Sequence, residues 1–263
     1  MSAWQAAADH VLPGSFLPRT LCGGVSILFT GRAGGVSAEP FGTLNLSDGV
    51  GDDPAAVAGN RERVLQGIAP SASRLAWLRQ VHGTAVHVMK ELPGITQTAA
   101  AGPPPQADAA CTNITGVALG VLGADCAPVL VADPLARVVG AAHAGRPGMA
   151  AGVVGKLIGE MTRAGAHAAR MHAVIGPAIC GLCYEVPAAM RADVAAAVPG
   201  SASTTRAGTP GIDLRAGLRG QLERLGVAEI TDDARCTAES PELFSYRRDG
   251  TTGRFAGLIW LSG

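Results

Sequence analysis

Apolar runs rich in valine, alanine and leucine recur along the chain, separated by glycine, proline and aspartate. The two longest, residues 118–133 and 138–144, are parted by Asp133-Pro134, a turn signal, and predict two buried strands joined tightly. Val25-Ser-Ile-Leu-Phe-Thr30 predicts a strand from its β-branched and aromatic content. Further extended segments are expected over 41–46, over 75–83 with a return strand at 84–89, over 107–112 and 171–176, and at Ile230-Thr231. Phe244 to Arg248 and Phe255 to Leu261 flank Asp249-Gly250 and predict a hairpin-like ending. Asp52-Asp53-Pro54 supplies a cap and a first-turn proline for a helix whose apolar stripe is Val57, Val64, Leu65 and Ile68. Other helices are expected over 149–164, over 187–197 behind Pro187, and over 214–225 between Asp213 and Gly226. Residues 91–107 and 198–211 have turn chemistry without periodicity and are expected to be loops. Residues 1–24 read as a leader and 25–263 as one compact domain mixing strands and helices, with no repeat or linker.

Hydrophobic residues make up 48% of the 263 and charged residues 16%, so a sizeable core is expected. The formal net charge is zero, which argues against non-specific nucleic-acid binding. No run resembles a signal peptide or is long enough to span a bilayer, so a cytoplasmic protein without membrane contact is expected. Six scattered cysteines in a chain of this size fit a reducing compartment better than a disulfide scaffold.

Those cysteines change the picture at one place. Cys126 lies inside the first long run, His143 ends the second, and His82 ends an extended segment beside Gly83. A lone buried cysteine is ordinarily core. Two imidazoles and a thiolate, however, are a fitting donor set for a catalytic zinc with its fourth position open. The same residues allow a Cys126 nucleophile activated by His143. Asp125 joins that pair only if the strand is irregular there, because neighbouring strand residues face opposite sides. With Met149 nearby, copper is a third reading. Cys180-x-x-Cys183 lacks a second cysteine pair and reads as a loop with incidental thiols. Arg32, Arg247 and Arg248 are candidates to grip phosphate. Gln80 and Asp108 either line a pocket or brace strand ends.

Taken together, Gly34-Gly-Val-Ser37, Leu44-Asn45-Leu46, Val50-Gly-Asp-Asp-Pro54, Asn60-Arg61, Gln80-Val-His-Gly83, Ala107-Asp-Ala109, Ala124-Asp-Cys126, Ala142-His-Ala-Gly145, Ile175-Gly-Pro177, Cys183-Tyr-Glu-Val186 and Phe244-Ser-Tyr-Arg-Arg-Asp-Gly250 resemble the bacterial YfiH family. It is also called the laccase-domain or polyphenol oxidoreductase family, and the resemblance runs unbroken from 25 to 261. The resemblance implies an α+β fold, a four-layer α/β/β/α sandwich with mixed sheets. It implies a zinc (Zn2+) ion held by His82, Cys126 and His143, which would be both metal ligands and catalytic residues. It implies a purine nucleoside and phosphate as small-molecule partners: phosphorolysis of adenosine, inosine and methylthioadenosine, and adenosine deamination. Arg32, Asn45, Gln80, Asp108, Arg247 and Arg248 are then the expected substrate contacts. The older name implies copper (Cu2+) and phenol oxidation, and editing of peptidoglycan precursors is a further family role. Oligomeric state stays open. One departure stands out: the family's His-Ala-Gly-Trp-Arg-Gly is His143-Ala-Gly-Arg-Pro-Gly148 here, which puts the role of Arg146 in question and leaves the metal set intact.

Overall fold

The structure, a computed structural model, describes residues 19–20, 22–92 and 103–262. Most of the expected leader and the middle of the 91–107 loop lie outside the described residues. The chain opens with β1 (Arg19–Thr20) and β2 (Val25–Phe29), then α1 (Pro54–Ile68), β3 (Arg74–Ala76), β4 (Val86–Val88) and β5 (Ala109–Thr112). Three long strands follow, β6 (Val117–Gly123), β7 (Ala127–Asp133) and β8 (Val138–Ala144), then α2 (Arg146–Ala150) and α3 (Val153–Arg163). The last third holds β9 (His172–Ile175), α4 (Ala188–Ala197), β10 (Ala202–Thr204), β11 (Pro210–Ile212), α5 (Leu214–Arg224), β12 (Glu229–Asp232), the single turn α6 (Tyr246–Asp249) and β13 (Phe255–Leu261).

One sheet runs β1-β2-β13-β6-β3 and the other β12-β9-β7-β8-β5-β4. Each mixes parallel with antiparallel pairs. Their inner faces meet over Val25, Ile27, Leu119, Val121, Leu130, Val139 and Ile259. Outside the first sheet, Val64 and Ile68 of α1 pack with Leu44, Trp77 and Trp260. Outside the second, α2, α3 and α5 bury Met149, Leu157, Met161, Leu218 and Leu222. Each such large side chain contributes roughly 1.5–3 kcal/mol of transfer free energy. The result is the α+β, α/β/β/α sandwich expected of the resemblance. Two helix starts form as their sequence implies: Asp53 accepts from the Ala55 amide and Asp213 from the Ala216 amide.

Other expectations need correction. The run 118–133 is two strands in different sheets, β6 and β7, broken at Ala124-Asp125-Cys126 with Asp125 at φ 97°. Both strands are apolar on both faces, so no alternation marks the break. The segments 75–83 and 84–89 are not a hairpin: β3 joins β6 in one sheet and β4 joins β5 in the other. Residues 41–46 form no strand, although Leu44 and Leu46 are buried. The helix expected over 149–164 is two, parted at Gly152 with φ 84°. The loop 198–211 contains the β10–β11 hairpin. The C-terminal hairpin does not form either. Ser245 caps the turn α6, and β13 inserts between β2 and β6 in the middle of its sheet.

Candidate active site and metal centre

The site lies where the chain twice crosses from one sheet to the other. His82 sits on the passage from β3 to β4, with φ 59°. Cys126 sits on the passage from β6 to β7, after Asp125. His143 stands in β8 opposite Pro128 of β7. Left-handed backbone costs a non-glycine residue about 1–3 kcal/mol and needs support. At His82 the support is Asp108, whose buried carboxylate accepts from the amides of Val81, His82 and Gly83 at 3.2, 2.8 and 2.7 Å. At Asp125 it is the residue's own side chain, which accepts from Thr237 Oγ1, Ser245 Oγ and the Arg247 amide. Asp125 therefore braces the passage, and the carboxylate that pairs with His143 is Asp108.

The three candidate ligands converge. Donor atoms of His82, Cys126 and His143 all lie within 4.8 Å of one another. Cys126 Sγ is 3.7 Å from His82 Nε2, and the two imidazoles meet edge to face with centroids 4.7 Å apart. His143 Nδ1 is 2.9 Å from Asp108 Oδ1, which leaves Nε2 as its free ring nitrogen. A carboxylate behind a ligating histidine is the usual way its tautomer and ring orientation are set. Gly145 leaves room for the cluster: a Cβ there would be 2.8 Å from both Cys126 Sγ and His82 Cδ2. This donor set, with one side open to a cleft, fits a divalent zinc-type ion.

Electrostatics favour an ionised sulfur at Cys126. Burial alone would push the Cys126 thiol up, but hydrogen bonds from His143 and His82 outweigh it and bring the thiol down to about 6. Burial would lower the His143 pKa, yet Asp108 and Cys126 raise it to about 9. Burial opposes ionisation of Asp108 too, but its bonds from His143, Gly83 and Val81 hold it below its ordinary value. Negative charge is thus stabilised at the thiol and at the carboxylate behind the imidazole.

A cleft of about 590 Å³ opens onto the cluster. Of the residues expected to touch substrate, Gln80 and Arg247 line it. Gln80 also clamps β6 through both polar atoms of the Leu122 backbone. Asp108 lies behind His143 rather than on the wall. Arg32, Asn45 and Arg248 are not on the wall either. Arg32 packs over Phe244 and pairs with Asp249, Asn45 is buried and holds the Ser47 and Arg254 backbone, and Arg248 binds the carbonyls of Thr237, Ser240 and Leu243. The structure adds Arg146, Tyr184, Tyr246 and Arg254 to the wall. Arg247 stacks on Tyr184 and Arg254 on Tyr246. Burial pulls the Arg254 guanidinium below its ordinary value, while Cys126 and Asp125 pull it back up. Sequence reasoning missed Arg254 because it stands alone; its one local signal is its place just before β13.

A family model described as "Multi-copper polyphenol oxidoreductase laccase" matches residues 26–262. "Purine nucleoside phosphorylase ORF3" of Streptomyces griseus is 52% identical over 239 residues, covering 91% of this chain and 95% of the relative. "Purine nucleoside phosphorylase Cgl2154/cg2365" of Corynebacterium glutamicum is 49% identical over 234 residues, 89% of this chain and 93% of the relative. Among solved structures, YlmD from Geobacillus stearothermophilus superposes with a TM-score of 0.82 at 33% identity, covering 91% and 93% of the two chains. The YfiH protein of Bacillus licheniformis gives a TM-score of 0.82 at 29% identity, covering 90% and 93%.

Proposed function

The chain belongs to the multi-copper polyphenol oxidoreductase laccase family, and we propose that it is a zinc-dependent purine nucleoside phosphorylase that also deaminates adenosine. The names of its relatives support the nucleoside reading. The observation in this chain that carries it is the set of guanidiniums beside the cluster. Arg146, Arg247 and Arg254 line the same cleft as His82, Cys126 and His143, and among the described residues none of the three makes a direct ion pair with a carboxylate. Unpaired arginines around a cleft suit a phosphate, which takes two or more charge-assisted hydrogen bonds.

His82, Cys126 and His143 would hold the zinc, which when bound supplies Lewis acidity and fixed positive charge at the reacting oxygen. Met149, the thioether that a copper site would recruit, packs against Gly217 of α5 and is not on the cleft wall, which favours zinc over copper. The arginines hold phosphate against the ribose, and Tyr246, exposed at the wall, offers an aromatic surface to the base. In phosphorolysis a phosphate oxygen bonds to the ribose C1′ as the bond to the purine nitrogen breaks. The electron pair leaves with the purine, which takes up a proton, giving free base and ribose 1-phosphate. In deamination a water oxygen bonds to C6 of adenosine and ammonia leaves, giving inosine.

Adenosine incubated with the purified protein tests both steps. Adenine and ribose 1-phosphate are expected only when phosphate is present, and inosine with or without it. Adenosine unchanged in both tubes would sink the proposal.

A further inference from the structure

A second cluster of donors lies outside the cleft. Cys180, Cys183, Cys236 and Glu239 place one sulfur or carboxylate oxygen each within 4.8 Å of all the others. We propose that these four residues form a second metal site, which takes one zinc ion in a closed set of three sulfurs and one oxygen.

The argument starts from the turns. After β9 the chain makes a tight turn in which the amides of Cys183 and Tyr184 donate to the Cys180 carbonyl. After β12 it makes another, in which the amides of Glu239 and Ser240 donate to the Cys236 carbonyl. Each turn therefore presents two donors with two residues between them, the usual local spacing of structural zinc ligands. β9 and β12 are parallel neighbours, so the two turns emerge side by side, and the bridge from Ala178 to Cys236 holds them together. The Cys180 amide donates to Cys236 Sγ at 3.3 Å, a contact that suits a thiolate. The second pair is absent from any local motif because Cys236-x-x-Glu239 lies far along the chain from Cys180-x-x-Cys183.

Charge fits as well. Three thiolates and a carboxylate around a divalent ion leave a net negative charge. Arg206 sits against it, with Nη1 3.7 Å from Cys183 Sγ and in an ion pair with Glu239. A four-ligand set with no open position is structural rather than catalytic. What it would fix is the cleft wall. Ile179 and Tyr184 flank the first pair and line the cleft, while Thr237, next to Cys236, holds Asp125 beside Cys126. The ion would tie both loops to the end of the second sheet.

The test uses the full-length chain carrying His82→Ala and Cys126→Ser, which removes the first cluster, so the result does not depend on the proposed activity. Elemental analysis is expected to find about one zinc per chain, and X-ray absorption a sulfur-rich shell at about 2.3 Å. Adding Glu239→Gln is expected to speed zinc loss to a chelator about tenfold or more. If the double variant does not fold, the unsubstituted protein should hold two zinc ions sharing four sulfurs. Zinc absent from the folded double variant, a sulfur-poor shell, a single ion with one sulfur in the unsubstituted protein, or a disulfide among Cys180, Cys183 and Cys236 in mass mapping would each overturn the proposal.

Discussion

Asp108 Oδ1 lies 2.9 Å from His143 Nδ1, and both residues are buried. The same carboxylate gathers the three amides of the turn that carries His82. One side chain thus sets the tautomer of one proposed ligand and the backbone of another. Asp108→Asn can keep at most part of this pattern, since its amide nitrogen donates where the carboxylate accepted. Zinc affinity, measured by competition with a chelator, is expected to fall roughly 10–100-fold in this variant. An unchanged affinity would show that Asp108 braces the fold without tuning the site.

Gly145 is required for space. The methyl of Gly145→Ala would sit 2.8 Å from Cys126 Sγ and from His82 Cδ2, so one of them must move. Misplacement of a reacting group by about 1 Å can cost on the order of 100-fold in rate. A loss of that order in adenosine turnover is expected, with circular dichroism and melting behaviour close to those of the unsubstituted protein.

Legibility followed the range of the signal. The caps Asp53 and Asp213 are local, and the helices they open were readable from the sequence. The trio His82, Cys126 and His143 was readable through the motifs Gln80-Val-His-Gly83, Ala124-Asp-Cys126 and Ala142-His-Ala-Gly145 rather than through spacing, because the three residues lie far apart along the chain. The crossing at Ala124 to Cys126 was not, because β6 and β7 are both buried on both faces and their boundary carries no change of pattern. The place of β13 was hidden for another reason: its partners β2 and β6 lie far away in sequence, and the turn at Asp249-Gly250 suggested a nearer one. Arg146 was marked by its place in the altered His143-Ala-Gly-Arg-Pro-Gly148 motif but its role stayed open, whereas Arg254 carries no motif; the fold brings both to the cleft wall.

The arginines separate the two proposed reactions. Phosphorolysis uses phosphate and deamination does not. Arg247→Ala or Arg146→Ala removes one or more charge-assisted hydrogen bonds, worth about 1.5–3 kcal/mol, or roughly 10–100-fold. That loss is expected in kcat/KM for phosphate, while inosine formation from adenosine changes far less. Equal losses in both reactions would mean that the guanidiniums grip the nucleoside instead.

Acid stability should depend on Asp133, far from the cleft. Its buried carboxylate accepts from the amides of Leu135, Ala136 and His167 and pairs with Arg170 at 2.9 Å. Burial works against its ionisation, but these bonds prevail and hold its pKa below the ordinary carboxylate range. Protonation therefore favours the unfolded chain. The stabilisation is fully present above the unfolded pKa and is lost as pH falls through the lower, folded one. Asp133→Asn is expected to lose about 1–3 kcal/mol at neutral pH and to flatten the acid side of the stability curve in urea titrations.

The most direct test of the account is adenine release from adenosine and phosphate by three preparations: the untreated protein, the chelator-stripped protein with and without added zinc, and Cys126→Ala. Release is expected from the first, lost on stripping, restored by zinc, and absent from Cys126→Ala whatever zinc is added. Adenine release that survives both stripping and the loss of Cys126 would contradict a reaction centred on an ion held by His82, Cys126 and His143.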